Sequence, residues 1–152
     1  MKKNVLHFTI FCSLLLLNFQ CRKCDGVDCF SPPSEFTFQL LDKDSGEDLV
    51  ANGTFQADEI SVFSITGNKK HELQFSTDST AYFFTDQEIG WEAGSENVSY
   101  ELRLNPSTTL PFTYETKEVS EDCCTFFELV RFEMDSVERL FIPQQNLFQL
   151  RI

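Results

Sequence analysis

Six cysteines, at positions 12, 21, 24, 29, 123 and 124, are the most reactive side chains in this 152-residue sequence, and their spacing limits their chemistry. Zinc thiolate sites bring cysteines in Cys-x-x-Cys knuckles, often with histidine. Here the spacing is Cys-x4-Cys for Cys24 and Cys29 and vicinal for Cys123 and Cys124, and His71 is the sole histidine after His7. No metal is expected. A thioredoxin-like couple places Cys-x-x-Cys at the start of a helix, and Cys21-Arg22-Lys23-Cys24 has that spacing with no strand before it. Structural disulfides are the better use of these thiols.

Nucleophilic hydrolysis needs a base, and His71 follows Lys69-Lys70 at a turn, with no Gly-x-Ser-x-Gly elbow anywhere. His71 reads as an exposed structural histidine. Twenty-four acidic residues contain many pairs, but none is singled out for glycoside cleavage. No glycine-rich phosphate loop is present either. The sequence therefore predicts no enzyme and no cofactor.

Asp42, Asp44 and Asp48 alternate as hard-cation ligands would, but counting from Asp42 puts Glu47 and Gly53 where an EF-hand loop has glycine and glutamate. A solvated turn is the reading. Trp91, the sole tryptophan, lies in Gly90-Trp91-Glu92-Ala93-Gly94. Packing into the core is the commoner use of such a residue, and a loop platform for a sugar ring or a partner is the alternative that makes Trp91 the one candidate binding residue.

The segments that carry these residues divide the chain. Met1-Lys2-Lys3 and the apolar run Val5 to Phe19, with Leu14 to Leu17, have the form of a signal peptide over residues 1–20. Leu17-Asn18-Phe19-Gln20-Cys21 follows. A cysteine directly after the apolar run resembles the lipobox of bacterial lipoproteins, and phenylalanine then a polar residue before it resembles lipoproteins of the Bacteroidetes type. The resemblance implies lipidation at Cys21, a membrane anchor and, with Arg22 next, placement at the outer membrane. Asn18 and Gln20 depart from the usual leucine and small residue.

If Cys12 leaves with the signal and Cys21 carries lipid, Cys24, Cys29, Cys123 and Cys124 remain, an even number suited to an oxidising compartment. Three pairings are possible. A bridge between neighbours closes a strained ring, so Cys24 and Cys29 are each expected to take one of Cys123 and Cys124, in an order left open. Residues 21–34 are then a tether ending in Ser31-Pro32-Pro33-Ser34.

Residues 35–152 carry the fold. Alternation marks Phe36 to Leu41, Ser99 to Leu104 and Phe126 to Met134, and shorter apolar runs lie at Ile60 to Ile65, His71 to Thr77, Ala81 to Thr85, Pro111 to Val119, Val137 to Ile142 and Leu147 to Ile152. Glu88 to Asn97 reads as a long loop. About eight to ten short strands with no amphipathic helix predict one all-β domain, an antiparallel β-sandwich, with a closed barrel as alternative. The opening strand followed by Asp-x-Asp-x-Gly-x-x-Leu resembles the first hairpin of Ig-like and prealbumin-like sandwiches.

Seventeen phenylalanines suit core filling more than ligand stacking. The formal charge is −12, and the basic pairs are sparse, which excludes a nucleic-acid partner. The expected function is that of a lipid-anchored envelope protein of structural or protein-interaction type, with a glycan- or small-ligand-binding module using the Trp91 loop as the alternative.

Overall fold

A computed structural model describes residues 29–78, 80–94 and 98–152. The expectations for the signal segment, for Cys21 and for Cys24 lie outside these residues. The described residues divide into two units, one holding residues 29–31 and Ser120–Thr125, the other Pro32–Val119 and Phe126–Ile152.

Among the described residues there are eleven strands: β1 Cys29–Phe30, β2 Phe36–Leu41, β3 Ser61–Ser64, β4 Lys69–Lys70, β5 Gln74–Asp78, β6 Ala81–Asp86, β7 Ser99–Asn105, β8 Thr108–Glu121, β9 Cys124–Met134, β10 Glu138–Ile142 and β11 Leu147–Arg151. One α-helical turn, α1 Ile89–Glu92, and one 3-10 turn, Pro143–Gln145, interrupt them. The fold is an all-β sandwich. In the larger unit one sheet runs β9-β8-β7-β3-β4 and the other β10-β11-β2-β6-β5.

The expected antiparallel pairing holds for most neighbours, and two pairs depart from it. β11 lies parallel to β2, with Phe148 opposite Phe38 and Leu150 opposite Leu40. β1 lies parallel to the start of β9. Alternation reports which face a side chain takes and carries no information on strand direction.

Period two explains the core. On β2, Phe36, Phe38 and Leu40 are fully buried and meet Val62 of β3, Tyr100, Leu102 and Leu104 of β7, and Phe112 and Tyr114 of β8. Phe36 is the hub, with ring centroids 5.2 to 5.6 Å from Phe38, Phe112, Tyr114, Phe132 and Phe148. These separations fall within the favourable range for aromatic pairs.

The outer face of β2 is also covered, because the segment after it folds back. Leu41 bridges to Asp48, and Asp48 is buried with both oxygens occupied. Its Oδ1 accepts from the Val50 and Ala51 amides at 2.9 Å, and its Oδ2 from the Tyr82 amide at 2.9 Å and Gln39 Nε2 at 3.1 Å. The solvated turn expected here is confined to Asp42 to Glu47. Ser45 supplies amide and hydroxyl bonds to Asp42 Oδ1 at 2.7 and 2.8 Å, and these hold the Asp42 carboxyl below its ordinary range.

In the smaller unit Cys29 and Cys124 form a disulfide that spans 95 residues of sequence, and the Ser31 amide donates to Thr125 O at 2.9 Å. Cys123 is disulfide-bonded as well. The long-range linkage of the leader to the vicinal pair is thus met at Cys29 and Cys124.

Candidate functional site

In the larger unit Lys69, His71, Asp86, Glu88 and Glu92 are brought together where β4, β6 and α1 meet. β3 and β4 are joined by a tight turn in which Asn68 takes a left-handed conformation, φ 46°. The turn sets Ser64 opposite Lys69 and Phe63 opposite Lys70. One residue on, the His71 amide donates to Val62 O at 2.9 Å, so His71 shares the inward direction of Val62. Its side chain is wholly buried, which corrects the expectation of an exposed histidine.

Asp86 ends β6, three residues before α1. Its Oδ1 accepts from the Glu88 and Ile89 amides at 2.8 and 2.9 Å, two of the donors that a helix start leaves unpaired. Its Oδ2 lies 2.8 Å from His71 Nδ1, off the N–H direction, so the contact is a charge pair more than an aligned hydrogen bond. On the other side of the ring, Nε2 is 3.0 Å from Glu92 Oε2. Lys69 Nζ pairs with Glu88 Oε2 at 2.6 Å and lies 4.0 Å from Glu92 Oε1. Tyr100 packs edge-on to the imidazole at 5.7 Å.

Burial alone pushes the His71 imidazolium toward losing its proton, but the Asp86 bond and charge and the Glu92 charge outweigh it, and the pKa is raised. Burial, with Glu92 and Asp86 adding to it, pushes the Tyr100 phenol far above its ordinary range. Tyr114 is pushed up to about 12, chiefly by burial.

This arrangement engages the imidazole from both sides. A general base must offer one ring nitrogen to a nucleophile while the other is oriented by a carboxylate. In His71 both nitrogens face carboxylates. No group of three or more ligating side chains is placed to hold a metal ion among the described residues. A cavity of about 280 Å³ adjoins His71, and Ile60, Leu73, Phe75 and Phe84 give it a mainly apolar wall.

The other predicted candidate, Trp91, lies on α1 immediately before Glu92. It is 47% exposed, which corrects the expectation of core packing. Its ring meets Phe127 of β9 edge-on at 5.3 Å. α1 itself is seated by Ile89 and Ala93 in the core and by Thr116 Oγ1, which donates to Gly90 O at 2.7 Å. Gly90 has no room for a side chain, since a Cβ there would stand 2.6 Å from Pro33 Cβ and 3.0 Å from Ser34 O.

The structure therefore places Trp91 next to the His71 cluster, through Glu92. Sequence reasoning missed Asp86, Glu92 and the burial of His71. The signal was the hairpin turn Thr66 to Asn68, whose register puts His71 across from Val62. Compared with models of known families, with curated proteins and with solved structures, the chain finds no match.

Proposed function

We propose that the protein is a lipid-anchored module of the cell envelope that acts by binding a protein partner, and that it performs no catalysis. The observation that carries the envelope assignment is the Cys29–Cys124 disulfide, since cystines persist in oxidising compartments and are rare in the cytosol. Cys21, eight positions earlier, is the acylated residue of this reading, and the outer membrane is its destination. Doubly engaged His71 supports the absence of catalysis. Palmitate labelling of the wild type and of Cys21→Ser tests the anchor. Label in the wild type that is lost in Cys21→Ser is expected, and an unlabelled wild type removes the lipoprotein reading.

The exposure of Trp91 favours a second reading, a glycan-binding surface on α1. An indole face that is half exposed and braced by another ring suits stacking on a sugar. Retention on immobilised envelope glycans that is lost in Trp91→Ala would support it. Co-purification from membranes with one protein, unaffected by added glycan and by Trp91→Ala, would support the first reading alone.

A further inference from the structure

Resting on the partner-binding reading above, we infer that β5 is the docking edge for an extended segment of a partner protein that carries a bulky apolar side chain beside a lysine or arginine. β5 ends its sheet, since Gln74–Asp78 pairs with β6 and with no other strand among the described residues. In an antiparallel pair alternate residues turn N–H and C=O away from the neighbour, so an edge strand offers a row of unpaired groups to a further strand.

Edge strands are ordinarily blunted by charge, proline or shortness. The other edges of the larger unit follow that rule. β4 is two lysines, β9 carries Glu128, Arg131 and Glu133, and β10 opens with Glu138-Arg139 and is stopped by Pro143. β5 has four uncharged residues, Gln74 to Thr77, before Asp78, and all five of its residues are exposed. Phe75 is 63% exposed, more than any other large apolar side chain among the described residues.

Register places Phe75 at the seam between the sheets. It lies opposite Phe84, and opposite residues of an antiparallel pair share a face. Phe84 is buried and stacks on Phe38 at 5.3 Å. Phe75 thus takes the core-facing side of its strand and stays uncovered. Beside it lies the cavity of about 280 Å³ walled by Ile60, Leu73 and Phe84. An apolar side chain from an added strand covers Phe75 and enters that cavity.

Charge selects the occupant. Asp58 and Glu72 outnumber Lys70 among the exposed charged residues that line the cavity, and the whole chain carries −12. A cation beside the apolar anchor is attracted at both ranges. A second copy, equally acidic, is repelled, which makes a different protein the occupant.

The test uses the isotope-labelled full chain in detergent micelles and three synthetic peptides: Thr-Val-Lys-Phe-Val-Thr-Val, the same peptide with glutamate for lysine, and one with proline for each valine. The lysine peptide is expected to slow amide exchange at Gln74 to Thr77. At about 50 mM salt it should bind at least about tenfold more tightly than the other two, the margin over the glutamate peptide shrinking at about 0.5 M. Phe75→Ala and Phe75→Lys should each weaken it by at least about tenfold, with far-UV circular dichroism unchanged. No slowing at β5, equal binding of the three peptides, or a Phe75→Ala affinity equal to that of the wild type would overturn the docking edge. So would pairing of the chain with itself that Phe75→Ala abolishes. Co-purification from membranes separates this from the reading it rests on. A protein partner retained by Phe75→Ala removes β5 and leaves partner binding standing, whereas a wild type that brings down no protein removes partner binding and leaves the peptides to decide the edge.

Discussion

His71 has nowhere to place its charge except on two carboxylates, and this ties stability to its proton. Because the folded pKa is raised, the contribution is complete below 6.5 and is lost as pH rises through the folded value. Urea denaturation at about pH 6 and about pH 9 should therefore give the lower midpoint at the higher pH. Equal midpoints would contradict the ion pairs. Asp48 is a buried carboxylate whose partners are three amides and Gln39. Asp48→Ala leaves those donors unpaired, and a loss of about 3 kcal/mol or more is expected by urea titration. A loss within about 0.5 kcal/mol, the range of a surface change, would show that water replaces the carboxylate. Neither role was legible in the sequence, because a carboxylate in a turn and one folded under it are the same letter.

At the scale of elements, long strands were legible and short ones were not. β2 and β7 show alternation over six and seven residues, enough for period two to emerge. β1 and β4 have two residues each and α1 has four, too few for any period, and they exist because their neighbours hold them. α1 depends on Gly90 lying against Pro33 and Ser34. Gly90→Ala should cost on the order of 2 kcal/mol through overpacking and displace Trp91, seen as a lower melting temperature with altered tryptophan emission. An unchanged melting temperature would mean that the 32–34 segment yields freely. The Cys29–Cys124 bridge acts on a longer element of chain. Replacing both cysteines by serine should cost about 4 kcal/mol in the chain-entropy account of a loop this long, read by denaturation without reductant.

For the whole molecule, the two-layer sandwich follows from strand count and turn spacing, whereas which strands adjoin does not. The placement of β11 between β10 and β2 depends on pairing across the chain, to which local pattern is blind. Charge acts at this scale too. With 24 acidic against 12 basic residues, self-repulsion opposes compaction. Raising salt from about 10 mM to about 0.15 M shortens the screening length from about 30 to about 8 Å and should raise the melting temperature. A fall would mean that ion pairs such as Lys69–Glu88 outweigh the repulsion.

The pairing of β11 with β2 also fixes a timetable. Gln39 and Gln149 touch across 110 residues of sequence, so β2 emerges during synthesis long before the strand that will flank it. Until then one edge of an apolar strand stands open, and contacts of such sequence separation form slowly. The sheet around β2 can therefore close only after the last residues of the strand β11 have been made.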